Sequence, residues 1–234
     1  MSAQEVIAQL KSFASESRKK SNAYYFKTGP GQYSEFDQFM GVRAPKIRAI
    51  AKQHYRHIGF DEIDLLVIHA VHEIRYCGLI ILVRQYQSGN QVAVFNYYLK
   101  NLKAVNNWDL VDYSTPHIVG DYLFQHQDKF SLLYDWANSS NLWERRIAIV
   151  ATLYFIKQGL YTPTLRISKM LLNDPEDLIH KAVGWMLREV YKKECAVCKA
   201  FLRENYAQLP RTTLRYAIER MAENQRLRYL KGEF

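Results

Sequence analysis

Four segments of this chain repeat one pattern, a basic residue followed by small and apolar ones. They read R-Y-C-G-L-I from Arg75, R-I-A-I-V-A from Arg146, K-A-V-G-W-M from Lys181 and R-Y-A-I-E-R from Arg215. Their first residues are 71, 35 and 34 positions apart, and 71 is close to two steps of 35. One unit is therefore skipped, and its anchor falls near residue 111. Such a period suits a pair of helices, which cannot bury its apolar face alone and must stack on its neighbours. Among named repeats the HEAT type is nearest, although its units usually run longer.

Local signals agree with helices throughout. S-A-Q-E at Ser2–Glu5 is a capping box, opening a helix with Val6, Leu10 and Phe13 on one face. The aromatic run N-A-Y-Y-F-K at 22–27 reads as helical, and T-G-P-G-Q at 28–32 breaks it. Pro45 opens a basic helix, where proline is tolerated. A long helix is predicted from about Leu142 to Lys157, with Gly159 as its terminating glycine. Asp174-Pro175-Glu176 predicts another start. No segment alternates as a strand would. The expected fold is all-α: one domain over 1–234, a C-shaped α-solenoid of HEAT-like repeats. Stacking aligns equivalent positions, so the basic anchors would line a concave face.

Thirty-two Lys+Arg against 23 Asp+Glu leave a formal charge of +9, which favours a polyanion as partner. The N-terminus lacks a basic region followed by an apolar run, so no signal peptide is expected. The longest apolar runs, 77–83 and 147–156, are far short of the roughly 20 residues that span a membrane. Three cysteines are too few and too odd in number for a disulfide framework. These features predict a reduced, cytoplasmic protein that is not membrane-bound. Cys195 and Cys198 form C-x-x-C, but no second Cys or His pair follows at zinc spacing. His69 and His72 lie three apart without a third ligand nearby, which favours core or surface roles. No metal and no cofactor is expected.

The skipped anchor falls on N-N-W-D-L-V-D-Y at 106–113. Trp108 and Asp112, four apart, share one helical face. Pro116 lies four residues beyond Asp112 and cannot accept a normal helix around that carbonyl, so a kink or restart is predicted at Asp112. Where other repeats offer a base, this one offers an acid, which costs affinity for phosphates. Two readings are open. Asp112 could stabilise positive charge developing in a reaction, as in glycosidic cleavage through an oxocarbenium-like state. It could instead form an ion pair with Arg146 of the next repeat.

Three motifs carry a family resemblance: W-D-x-V-D at 108–112, N-x-W-x-x-R-x-A-I at 141–149, and K-A-x-G-W-x-L-R-E at 181–189. In these the chain resembles the AlkD-type alkylpurine DNA glycosylases, HEAT-like-repeat repair enzymes, over most of its length. The resemblance implies hydrolysis of the N-glycosidic bond of cationic N3- and N7-alkylpurines in double-stranded DNA, without flipping the base. It implies that Asp112 is the catalytic carboxylate, with Trp108 and Trp185 flanking the lesion's sugar and Arg146 beside them. The family's N-terminal aromatic best matches Tyr25, with Tyr24 adjacent and the register open. Lys46, Arg48, Lys181, Arg188 and Arg215 are candidate DNA-backbone contacts. The enzyme is expected to act as a monomer. The competing reading is a non-catalytic solenoid that binds branched or damaged DNA, since a fold does not fix an activity.

Overall fold

The computed structural model describes residues 2–234. Its contacts fall into two compact units that meet in sequence between Ser114 and Thr115. The first holds α1 (Ala3–Lys11), α2 (Glu16–Tyr25), α3 (Ala44–His54), α4 (Phe60–Val67), α5 (His72–Gln87), α6 (Gln91–Lys100) and nearly all of α7 (Trp108–Thr115). The second holds α8 (Asp121–Gln125), α9 (Ser131–Ala137), α10 (Leu142–Lys157), α11 (Thr162–Met170), α12 (Asp177–Lys193), α13 (Cys195–Glu204), α14 (Arg211–Ala217) and α15 (Glu223–Lys231). No strand occurs among the described residues, and the sole β feature there is an isolated bridge between Gln38 and Val71. The fold is all-α and solenoid-like. No described helix is long and apolar enough to cross a membrane.

The repeat is visible in where helices begin. α5, α7, α10, α12 and α14 start at residues 72, 108, 142, 177 and 211, steps of 36, 34, 35 and 34. The skipped unit is therefore present, and Asp112 is the fifth residue of its helix. Arg146, Lys181 and Arg215 are the fifth residues of theirs, while the fifth residue of α5 is Tyr76, not Arg75. These helices form the core: almost every residue from His72 to Tyr86 is buried, as are Ile147–Ala151 and most apolar positions of α12. In the second unit α10 packs on α9, α11 and α12, and α12 packs on α14. That last crossing is close: a Cβ on Gly184 would lie 2.5 Å from Tyr216 Cβ and 2.6 Å from the Thr213 carbonyl oxygen.

Arg75 is one residue out of register with the other anchors because it has a different task. It is 5% exposed, pairs with Asp37, and donates from Nη1 to the carbonyls of His69 (2.9 Å) and Ala70 (3.2 Å). Arg145 does the same in the second unit. It pairs with Asp174 (2.6 Å) and donates from Nη1 to the carbonyls of Ser139 and Ser140, both at 3.0 Å. Thirty-five residues on, His180 Nε2 hydrogen-bonds the carbonyl of Asp174 at 2.6 Å, again six residues back. The fourth position of these helices thus clamps the turn leading into them by hydrogen bonds to its carbonyls. The expected stripe of exposed bases is corrected accordingly: Arg75 and Arg146 are both buried.

Other local expectations resolve in detail. The Ser2 capping box forms, and Val6 and Leu10 are buried, but Phe13 lies beyond the end of α1 and is exposed. Gly159, at φ +81, follows α10, and Asp174 accepts from Glu176 N–H (2.9 Å) just before α12. Pro116 does not break the helix at Asp112. α7 continues to Thr115, and Pro116–Gly120 forms a π-helical turn, a widening that accommodates the missing donor and the ring. All three cysteines are free, with Cys77 and Cys198 buried and Cys195 exposed.

Candidate active site

α7 is held at its first turn by Asn107, a fully buried side chain. Its Oδ1 accepts from Trp108 N–H (2.8 Å), and its Nδ2 donates to Ser34 Oγ (2.6 Å) and Asp37 Oδ2 (2.8 Å). Leu110 and Val111 point into the core. Trp108, Asp109, Asp112 and Tyr113 are consequently left half-buried on the other side of the helix. The indole of Trp108 stacks on Phe26, with centroids 5.2 Å apart and planes 12° from parallel. Tyr25 meets the same indole edge-on at 5.9 Å and 75°. Tyr25 is 65% exposed; Tyr24, 90% exposed, makes no such contact, so the tyrosine adjoining Trp108 is Tyr25.

Beneath this aromatic surface lies a group of charges. His72, the first residue of α5, has Nε2 2.8 Å from Asp109 Oδ2 and Nδ1 3.3 Å from Asp37 Oδ2. The Gln38–Val71 bridge brings residues 37 and 72 side by side, with His72 N–H donating to the Gln38 carbonyl at 2.7 Å. Burial opposes a charge on His72, but the Asp109 carboxylate and hydrogen bonds to both aspartates outweigh it, raising its pKa to about 9. Burial likewise pushes Asp37 up, but hydrogen bonds from His72 and Asn107 and the Arg75 charge bring it below the usual value. The ring of His72 packs against both Phe39 and Phe26, each with its centroid 4.9 Å away, and these two rings also stack on one another at 4.9 Å. Next to it is a cavity of about 380 Å³, whose lining includes Arg18, Arg43, Glu73, Tyr76 and Asp109.

Arg48, exposed on α3, lies near the Tyr76 side chain, whose pKa burial and the nearby Asp109 push to about 12. Lys46, also exposed, sits over the Phe13 ring at 4.8 Å. Both remain at the surface of the first unit. In the second unit, Arg146 is 5% exposed and donates from Nη1 to the carbonyl of Leu178, which ties α10 to the first turn of α12. Trp185 lies further along α12, half-buried. Lys181 pairs with Asp177 at 2.8 Å, Arg188 pairs with Glu219, and Arg215 is exposed. The candidates therefore form two local groups. Tyr25 and Trp108 touch in the first unit, while Arg146 joins the helix of Lys181 and Trp185 in the second.

Asp37, His72, Asp109, Asn107 and Phe26 did not stand out from sequence. A signal was available for three of them, because residues 37, 72 and 107 are spaced by 35, the repeat period itself. Thr212 and Asp177, also 35 apart, are joined in the same way, Thr212 Oγ1 donating to Asp177 Oδ1 at 3.0 Å. Side chains one period apart thus bond to one another.

The helix spacing and the packing of the long inner helices place the chain among α-solenoid-like repeat proteins. The family model for DNA alkylation repair enzymes matches residues 6–221, and the chain belongs to that family. It is accordingly an enzyme of DNA repair with DNA as its substrate. The same fold occurs in a solved structure described as a predicted DNA alkylation repair enzyme from Enterococcus faecalis. That protein is 19% identical, with a TM-score of 0.71 over 90% of this chain and 97% of the other. No curated protein sequence matches the chain.

Proposed function

We propose that this protein is a DNA N-glycosylase that releases cationic N3- and N7-alkylpurines, such as 3-methyladenine and 7-methylguanine, from double-stranded DNA. The observation that carries this reading is the half-buried Asp112 one helical turn after an indole that adjoins an exposed tyrosine. In a family that acts on alkylated DNA, that surface combines a carboxylate with aromatic faces.

The alkylated purine is already a good leaving group, because taking the electron pair of the C1′–N bond neutralises its positive charge. The bond breaks, the sugar becomes oxocarbenium-like, and Asp112 stabilises the cation electrostatically. Asp112 also orients a water that attacks C1′ and accepts the proton it sheds, leaving an abasic site and the free base. The faces of Trp108 and Trp185 favour a nearby cationic sugar. Arg146, through its motif, is assigned to orienting the carboxylate or holding a phosphate. Because the departing base needs no protonation, the reaction can proceed without flipping it into a pocket. Tyr25, Lys46, Arg48, Lys181, Arg188 and Arg215 are assigned to the DNA backbone, and the protein to acting as a monomer without a cofactor.

The test is release of 7-methylguanine and 3-methyladenine from alkylated duplex DNA by wild type and Asp112→Asn. Wild type should release at least one base. The variant should be slower by about 10²–10³-fold, the usual cost of removing one electrostatic stabiliser. Release of neither base by wild type leaves the non-catalytic reading of a damaged-DNA-binding solenoid. An Asn variant as fast as wild type removes Asp112 from the reaction.

A further inference from the structure

His72 touches Trp108's surroundings at two points. It hydrogen-bonds Asp109, the next residue of α7, and its ring packs at a 45° tilt against Phe26, the platform under the indole. Both ring nitrogens face carboxylate oxygens, an arrangement only an imidazolium can satisfy, since a neutral ring donates once. The two carboxylates are not equally secured. Asp37 also binds Arg75 and Asn107. Asp109 has His72 on Oδ2, and its buried Oδ1 has no hydrogen-bond partner. A neutral ring can keep only one of the two bonds, and in either tautomer Asp109 loses the charge that faces it, while Asp37 keeps Arg75 and Asn107.

We propose that His72 is a positioning residue for the glycosylase site, fixing the first turn of α7 through Asp109 and the Trp108 indole through Phe26. This rests on the glycosylase reading for its effect on activity, though not for the coupling between His72 and Trp108. The charged groups near the ring act in both directions, the two carboxylates holding the proton and the Arg75 charge opposing it. Asp109 approaches from α7 and Asp37 from the loop before the bridge. Arg75 and Glu73 lie on the ring's own helix, and Arg18, Arg43 and the Tyr76 hydroxyl line the adjoining cavity. Glu73 is occupied by the backbone N–H groups of Met40 and Gly41 and by Asn22, so it does not compete for His72.

Two measurements test this with the full chain. The first follows the Trp108 indole N–H resonance by NMR, assigned through Trp108→Phe, in wild type and His72→Gln. In wild type it should shift between pH 7 and 10 with a midpoint near 9, and in His72→Gln that transition should vanish. An indole resonance that does not titrate, or titrates alike in both, overturns the proposal whatever the activity. The second is single-turnover excision, corrected for enzyme-free base loss, alongside affinity for undamaged duplex. His72→Gln should lower the rate constant by about 10–100-fold, the scale of a misplaced reacting group, while affinity changes little. Its rate should also lose the alkaline decline seen in wild type. Equal loss of rate and affinity, or an unchanged rate, refutes a positioning role. Absence of wild-type excision refutes the glycosylase reading alone, because the indole titration stands apart from it.

Discussion

The buried His72 makes global stability depend on pH in a direction the structure dictates. Its native pKa of about 9 lies above the ordinary 6.5, so the native state holds a proton that the unfolded chain gives up. The stabilisation is fully present below 6.5, declines as pH rises, and is gone once pH passes about 9. Its size is about 3 kcal/mol, at about 1.4 kcal/mol for each tenfold difference in proton affinity. Asp37 works in the opposite sense: its carboxyl is held below the ordinary 3.8, so its contribution is present above that pH and is lost on acidification. Urea unfolding followed by circular dichroism from pH 5 to 10 should show a plateau near pH 5–6, then a loss of about 3 kcal/mol toward pH 9. His72→Gln should be less stable on the plateau and nearly flat above it. A wild-type curve that stays level or rises between pH 6.5 and 9 would show that the imidazolium is not held as the two short contacts imply.

Removing the clamp in either unit, by Arg75→Ala or Arg145→Ala, should cost about 3–5 kcal/mol because it takes the cationic partner from a buried carboxylate; calorimetry reads the drop, and a loss under 1 kcal/mol would count the clamp as ornamental. Gly184→Ala should lower the melting temperature although alanine is the better helix former. Its Cβ would meet Tyr216 Cβ at 2.5 Å and the Thr213 carbonyl at 2.6 Å, and overpacking of this kind costs about 1–3 kcal/mol. Gly41→Ala should be worse still, with φ at +82° and a Cβ 2.2 Å from the Ser15 carbonyl oxygen; soluble yield and thermal melts check it. Phe26→Ala should leave the chain folded but reduce excision, since it removes the platform of Trp108, and an unchanged single-turnover rate would contradict that.

The repeat was legible because it is written in helix starts, and a period carried by five helices survives an error at one anchor. That error was Arg75. A basic residue before small apolar ones looks the same whether its guanidinium reaches solvent or folds back onto the carbonyls of His69 and Ala70, and only burial separates the two. The consequence of Pro116 was placed four residues too early for a related reason. Sequence gives the lost hydrogen bond, while the packed helix around it decides between a kink and a wider turn.

The same contrast explains which part of the site could be read. Asp112 stood out because it is an acid where Arg146, Lys181 and Arg215 hold the equivalent helical position. His72 did not, because a histidine opening a helix is unremarkable until Asp37 and Asp109 arrive from two other segments. Their meeting depends on tertiary contact, although residues 37, 72 and 107 are each one repeat period of 35 apart. Stacked repeats thus bring together side chains a period apart and leave the turns of each helix free to differ. At the start of α7, Asn107 and Asp109 join the buried network, while Trp108 between them and Asp112 one turn on stay half-buried. A substitution in the network should therefore act on the surface through the orientation of one short helix, and the Trp108 indole is where that effect is read first.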